Sequence, residues 1–357
     1  VIDKFDCIAR YSKYCTRFYL CPDFYLDEFA DFLITLAINE KIKSWVLIPS
    51  NDHAVYTISK HQSRLKKYYK LITPSLDIIN KIYDKAKLIE IAKQVNVSVP
   101  MTQLFNSEDE ELDNEMNYPL ITKGRNGLSF YKALGKKVLC ANNDNELRKH
   151  LLLIREHYSI DSTITQEIIP FNGSNYTVSF TAFCVNGDIK THWSGIKIRE
   201  HPFRFGTATF ARSINNPECY QQSGLLLKQL NYTGVCEVEY IQDPRDGKYK
   251  LIEINPRTWL WVGLAKQCGV DYAKLIYYYA STKKILNART NNITRYWYNP
   301  FTDTAYSIIN MFKGQLNPVI YIKSILKRNK VNALYLKHDL KPYLIYIYKS
   351  FSFLRNR

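Results

Sequence analysis

Apolar positions repeat with two different periods along this chain, and the change of period divides it. Near the start, "DEFADFLITLAINEK" (27–41) sets Phe29, Phe32, Leu33, Leu36 and Ala37 in one stripe at helical spacing. The run "WVLIP" (45–49) has the length and composition of a buried parallel strand, and "SNDHAVYTISKH" and a Lys/Tyr-rich stretch near 62–69 return to helix. Helix, strand and helix in that order predict an α/β layer. Asp52 and His53 fall at the C-terminal end of that strand, where open sheets bind ligands. A loop-capping aspartate explains Asp52 equally well. Another helix is expected over 84–96, with Leu88, Ile91, Ala92 and Val95 inward and Asp84 as N-cap. "SEDEELDNEMN" (107–117) reads as an acidic, solvated helix.

From about residue 118 the period falls to two. Strands are expected over 119–123 and 137–141, flanking a polar loop, with a helix from Asn143. A strand to Ile169 breaks at 170–173 and leads to a hairpin turning at "VNGD" (185–188). A second hairpin pairs 235–241 with 249–254 through "DPRDG". An α/β layer followed by two antiparallel hairpins predicts a multi-lobe α/β and α+β protein. At 357 residues the chain is long enough for two or three lobes.

Composition narrows the class. Hydrophobic residues make up 46% and charged residues 23%, which excludes a disordered chain. The formal charge of +16 favours anionic partners without choosing among them. Eight cysteines occur with no CxxC spacing, as scattered thiols do in a cytosolic protein. No apolar run reaches the roughly 18–20 residues of a membrane span. No signal peptide is visible, and the first residue is Val1, so a missing start is expected.

The candidate chemistry lies in the second hairpin. Alternation puts Glu237 and Glu239 on one face of its first strand, and Glu253, Asn255 and Arg257 on one face of "YKLIEINPR". Cross-strand neighbours lie about 5–8 Å apart, so a hard cation could take Glu239, Glu253 and Asn255 together. Two carboxylates and an amide oxygen suit Mg2+, and Arg257 would reach an anion held there. A salt-bridged strand pair fits the same residues. The loop "KGRNGLSFYKALGKK" (123–137), with its glycines and with Lys132, Lys136 and Lys137, is a weak phosphate-loop signal or a solvated hairpin tip.

The ordered pieces "YDKAKL", "YPLITKG", "TITQEIIP" and "VEYIQDPRDGKYKLIEINPR" resemble the ATP-grasp superfamily. The likeness is to its carbamoyl-phosphate-synthase-like and carboxylate–amine ligase branch, from about Leu47 to Leu275. It implies an ATP-grasp fold preceded by a truncated, Rossmann-like pre-ATP-grasp lobe. The implied layout is a first lobe at 1–75, linker helices at 76–117, a lid subdomain at 118–170, a catalytic subdomain at 171–282 and a basic helical extension at 283–357. Carried over by position, Lys85 and Lys123 would contact phosphates. Gln166, Glu167, Ile168 and Ile169 would form the adenine hinge. Asn175 or Ser174 would hold the ribose. Glu239, Glu253 and Asn255 would bind Mg2+, or Mn2+ in its place, and Arg257 the transferred phosphoryl group. The basic segment 193–211 would line the acceptor pocket, with Lys197 and Arg199 catalytic and His201 and Arg204 nearby; a basic surface strand is the plainer explanation. The lid has fewer glycines than many relatives carry.

The resemblance implies an ADP-forming ligase that joins a small-molecule carboxylate to an amine (or thiol) through an acyl phosphate, in cell-envelope or related biosynthesis. The alternatives are a non-catalytic nucleotide-binding scaffold and a basic membrane-binding module. From Lys323 onward Asp339 is the only acid, and Tyr and Ile interleave with Lys. Residues 320–357 fit a helical tail packed on the rest, or contact with an anionic membrane surface at the inner face of the cell. No motif supports nucleic acid, and an oligomer is compatible.

Overall fold

The computed structural model describes residues 1–202, 206–291 and 293–355. Arg204 lies outside them. The chain forms two compact units. One contains Val1–Thr73, Gly195–Asn215 and Arg257–Arg357; the other contains Pro74–Ser194 and Asn216–Pro256.

The second unit, of residues 74–194 and 216–256, holds two sheets. A four-stranded sheet runs in the order Thr102–Gln103, Thr163–Glu167, Leu120–Gly124, Leu139–Ala141, antiparallel at each pairing. Beside it, Phe105, Leu120, Phe130, Leu147, Leu151 and Ile154 form one buried cluster. The other sheet sets Tyr249–Asn255, Gly234–Gln242 and Thr177–Val185 side by side, then the strand Asp188–His201, which belongs to this unit through Ser194. Asn186 and Gly187, both at positive φ, make the tight turn that "VNGD" predicts. Helix Lys85–Gln94 starts on its cap, with Asp84 accepting from the amides of Ala86 and Lys87.

Three expectations need correction. The polar loop after Lys123 contains a helix, Gly127–Leu134. It forms because Phe130 is drawn fully into the buried cluster, while Asn126 accepts from the Ser129 amide and hydroxyl at its start. Gly124 permits the tight return: a Cβ there would lie 2.4 Å from that of Phe130. The acidic stretch 107–117 is turn and irregular chain. Only Leu112 and Met116 reach the buried cluster, and its carboxylates accept backbone amides, Glu110 from Asn106 and Asp113 from Glu115. The strand in "WVLIP" is only Trp45–Val46, paired in parallel with Tyr69–Lys70, and Trp45 is exposed.

In the first unit, Phe29, Leu33, Ala54, Ile58 and Leu65 pack helix Glu28–Asn39 on helix Asp52–Lys60. Here the second part of Asp188–His201 neighbours Thr207–Ile214, which pairs antiparallel with Tyr296–Tyr298; that strand pairs in parallel with Lys330–Asn332. The C-terminal region adds helices Pro300–Phe312, Pro318–Ile325 and Lys341–Arg355. It is folded into the unit rather than trailing from it. Asp339 accepts from the Lys13 amide at 3.0 Å and from the Ser12 hydroxyl.

Arg199 holds much of this region. Its Nε and Nη2 donate to the two Asp303 oxygens at 2.8 and 2.7 Å, and its Nη1 donates to Ser324 Oγ at 2.9 Å. Its guanidinium lies 4.3 Å from the Phe210 ring centroid. The Thr209 hydroxyl donates to the same Asp303. Both partners are almost completely buried. Replacing Asp303 with Ala leaves a desolvated guanidinium without its carboxylate. The expected loss, read from urea unfolding, is about 3–5 kcal/mol. Breaking the exposed Lys81–Asp77 pair should cost under about 1 kcal/mol in the same assay. Equal losses would show that burial of the Arg199 pair carries no weight.

Candidate active site

The hairpin register decides what its polar side chains can do. Glu239 stands opposite Glu253, and Glu237 opposite Asn255. All four share one face, because alternate residues point the same way and the register shift comes only after Glu239. Glu237 and Glu239 are buried, and Glu253 and Asn255 are half-buried. Asn255 Nδ2 donates to Glu253 at 3.1 Å and to Glu237 at 3.3 Å. The nitrogen end of the amide is thus spent on carboxylates. Among the described residues no group of three or more His, Cys, Asp or Glu is arranged to hold a metal ion. The expected set of Glu239, Glu253 and the Asn255 oxygen is smaller and all oxygen. That suits a cation such as Mg2+, which usually keeps several waters and takes phosphate as well. The donor chemistry therefore fits the group.

Two lysines belong to the same unit. Lys123 lies on the strand Leu120–Gly124, and its Nζ donates to Gln166 Oε1 at 3.0 Å. Burial pushes its pKa down to about 8; the charge of Lys85 adds to that shift and that of Glu253 opposes it. Lys85, Lys123, Gln166 and Glu253 are therefore electrostatic neighbours. Lys85 opens its helix beside the Asp84 cap, its amide donating to the Arg125 carbonyl. Arg125 in turn grips Asp84 through Nε and Nη2 at 3.0 and 2.6 Å. Lys132, Lys136 and Lys137 are exposed on and after the helix Gly127–Leu134.

The hinge residues carry more internal bonds than expected. The amides of Glu167 and Ile168 donate to the carbonyls of Met101 and Pro119, so neither is open to a base. Gln166 Nε2 donates to Thr102 Oγ1. The Glu167 carboxylate takes the Asn117 amide and Arg245 Nη1. Arg245 also binds Asp243, which ties the hinge to the "DPRDG" turn. Asn175 is buried; it donates to the carbonyls of Pro170 and Gln242 and accepts from the Asn172 amide. The Ser174 hydroxyl donates to Asn172. Asn175 thus braces its loop, and its side chain is committed away from the ribose role expected for it. Sequence reasoning missed Glu237, Gln166 as a side-chain partner of Lys123, and Arg245. For Glu237 a signal existed, since it shares a strand face with Glu239.

The remaining candidates lie in the first unit. Arg257 Nε and Nη2 each donate to an Asp52 oxygen at 2.9 Å, and Nη1 donates to the Thr258 carbonyl. Asp52 is thus the carboxylate that fixes the Arg257 fork, while Asn51 caps the helix. His53 packs edge-on against Tyr25. Lys197 is buried two residues before Arg199 on the same strand face. Arg199 was expected to take a substrate carboxylate; Asp303, from its own chain, supplies that carboxylate instead. The His201 ring stacks on Tyr306, and burial pushes its pKa down.

Comparison with known proteins defines the class. Residues 214–285, which include the hairpin, match the carbamoyl-phosphate synthase L chain, ATP binding domain. The fold is similar to that of the biotin carboxylase domain of Hydrogenobacter thermophilus 2-oxoglutarate carboxylase, solved with MgADP, ADP and bicarbonate. The TM-score is 0.63 at 15% identity, over 83% of this chain and 67% of that one. An L-amino acid ligase from Bacillus licheniformis is similar at TM-score 0.56 and 13% identity, over 75% of this chain and 63% of the other. The chain has the ATP-grasp fold. In sequence it is 26% identical over 324 residues to the D-aspartate ligase of Enterococcus faecium, covering 86% of this chain and 73% of that protein.

Lys123 yields a prediction with a sign. Its folded pKa of about 8 lies below the ordinary lysine value of 10.5, so the fold disfavours the charged form. Between those two values the unfolded chain holds the proton and the folded chain does not, so the lysine's cost to stability falls as pH rises through that window. In protein free of nucleotide and metal, Lys123→Met should be the more stable at pH 7, by on the order of 2–3 kcal/mol. The advantage should shrink towards pH 10. A gap independent of pH, followed by urea unfolding, would show that the lysine is not desolvated.

Proposed function

We propose that this protein activates a small carboxylate with ATP and joins it to an amine through an acyl phosphate. The observation that carries the reading is the clustering, within one unit, of Lys85 and Lys123 with the oxygen-rich face of Glu239, Glu253 and Asn255. Lysines suit the negative oxygens of a nucleotide's phosphates, and the carboxylates suit the cation that accompanies them.

On this reading the chain supplies position and charge, with no covalent intermediate on the protein. Lys85 and Lys123 bind phosphate oxygens, and Gln166 holds the Lys123 ammonium in place. Glu239, Glu253 and Asn255 would hold Mg2+, or Mn2+ on the same oxygen set, with Glu237 steering the Asn255 amide. When bound, the cation neutralises charge on the phosphates. The substrate carboxylate displaces ADP at the γ-phosphorus. The amine then displaces phosphate at the acyl carbon and gives up a proton. Arg257, two residues beyond Asn255 and fixed by Asp52, is assigned to the transferring phosphoryl group. Lys197 is assigned to the acceptor side.

The Enterococcus relative makes aspartate, and acidic amino acids generally, the first carboxylates to test. A cytoplasmic setting agrees with the use of ATP and with eight unpaired cysteines. No helix among the described residues is long and apolar enough to cross a membrane. A nucleotide-binding scaffold without catalysis is the second reading, favoured by the commitment of Asn175 and the hinge amides to internal bonds.

The test is an ADP-release screen of paired carboxylate and amine pools, with a parallel measurement of melting temperature. An active pool should lose about 10²–10³-fold in rate on Glu253→Gln, the scale for losing one contact to developing charge. If no pool exceeds that variant and ATP with Mg2+ leaves the melting temperature unmoved, the ligase reading fails. A raised melting temperature with no ADP release supports the scaffold.

A further inference from the structure

Two C-terminal helices of the first unit have their polarity inside out. On Pro300–Phe312 the buried residues are Asp303 and Ser307, and on Pro318–Ile325 the buried residue is Ser324. The exposed residues are apolar: Ile308, Ile309 and Phe312 on the first helix, and Val319, Ile320 and Ile322 on the second. Phe312 is 88% exposed and Leu326, just past the second helix, 73%. Amphipathic helices of water-soluble proteins do the reverse. Arg199 explains the inversion, because both helices dock on it through polar side chains, Asp303 and Ser324. Their apolar faces are thereby turned outward.

The outward face is also basic. Between Asp303 and Asp339 the sequence has no acid, yet holds Lys313, Lys323, Lys327, Arg328, Lys330 and Lys337. At 3.6 residues per turn, Val319, Ile322 and Leu326 fall within about 60° of one another, with Lys323 and Lys327 about 40–80° further round. By contrast, Lys349 on the last helix is bonded to Asp6 of its own chain.

We propose that this surface docks on an anionic lipid bilayer, with the aliphatic side chains entering the interface and the lysines at the headgroups. Charge complementarity selects the occupant. A second copy would bring the same cations against these. Nucleic acid would call for stacking platforms, and the exposed row is aliphatic apart from Phe312. A bilayer surface offers both an apolar layer and negative charge. The proposal does not rest on the ligase reading.

The chain is tested by sedimentation with vesicles of phosphatidylcholine alone and of phosphatidylcholine mixed with phosphatidylglycerol. Binding should favour the acidic vesicles and weaken with salt. Reversing Lys323, Lys327 and Arg328 together to Glu should weaken it by roughly a hundredfold or more, at about fivefold for each cation. Phe312→Asp with Ile322→Asp should abolish it. These side chains are exposed, so the melting temperature of each variant should match the parent and shows that it folds. Equal binding to both vesicle types, or variants that bind like the parent, would overturn the proposal. So would a concentration-dependent dimer that Ile322→Asp dissolves, since a second copy would then own the face.

Discussion

Three carboxylates packed on one face of a hairpin are the constraint around which the second unit is organised. Glu239 and Glu253 stand directly opposite one another, and Glu237 is one alternate position away. Two unit charges about 5 Å apart repel by about 3 kcal/mol at an effective dielectric constant of 20. Such a face persists only if positive charge is supplied. Part of that charge is Lys123, which feels Glu253 and has Lys85 beside it. The lysines are themselves under strain, since Lys123 is desolvated and repelled by Lys85. Each group is costly alone and tolerable in company, which is the condition of a site shaped for a cation and an anion to enter together.

Arginine in this chain obeys a different rule. Arg125, Arg199, Arg245 and Arg257 all close on carboxylates of the chain itself: Asp84, Asp303, Glu167 with Asp243, and Asp52. A planar fork that matches a substrate carboxylate matches an internal one equally well. Burial separates the cases. Arg199 and Asp303 are sealed, so the pair is structural. Arg257 and Asp52 are partly open, so the same bidentate grip can aim a guanidinium at a ligand.

What could be read from the sequence is local in origin. Alternation at 237–239 and 253–255 placed the polar face before any pairing was known, and "VNGD" and "DPRDG" set the turns. The Asp84 cap and the helix from Asn143 follow from neighbours a few residues away. What could not be read depends on distant partners. Asp303 is 104 residues from Arg199, and Asp52 is 205 from Arg257. The hinge amides are taken by Met101 and Pro119, which no pattern within 166–169 announces. The helix Gly127–Leu134 needed the buried cluster that receives Phe130. The acidic stretch reaches the same cluster with only Leu112 and Met116, and its carboxylates take backbone amides in turns instead.

The same distinction governs the C-terminal region. Read by composition, its Ile, Leu and Tyr among lysines suggest an amphipathic tail without saying which side faces in. The answer turns on one buried pair. Once Arg199 has drawn Asp303 and Ser324 inward, helical geometry leaves Ile308, Phe312, Val319 and Ile322 no inward direction. A desolvated guanidinium on the strand Asp188–His201 thus sets the polarity of a surface formed more than a hundred residues later. The exposed apolar row is therefore a consequence of the side on which Arg199 seats both helices.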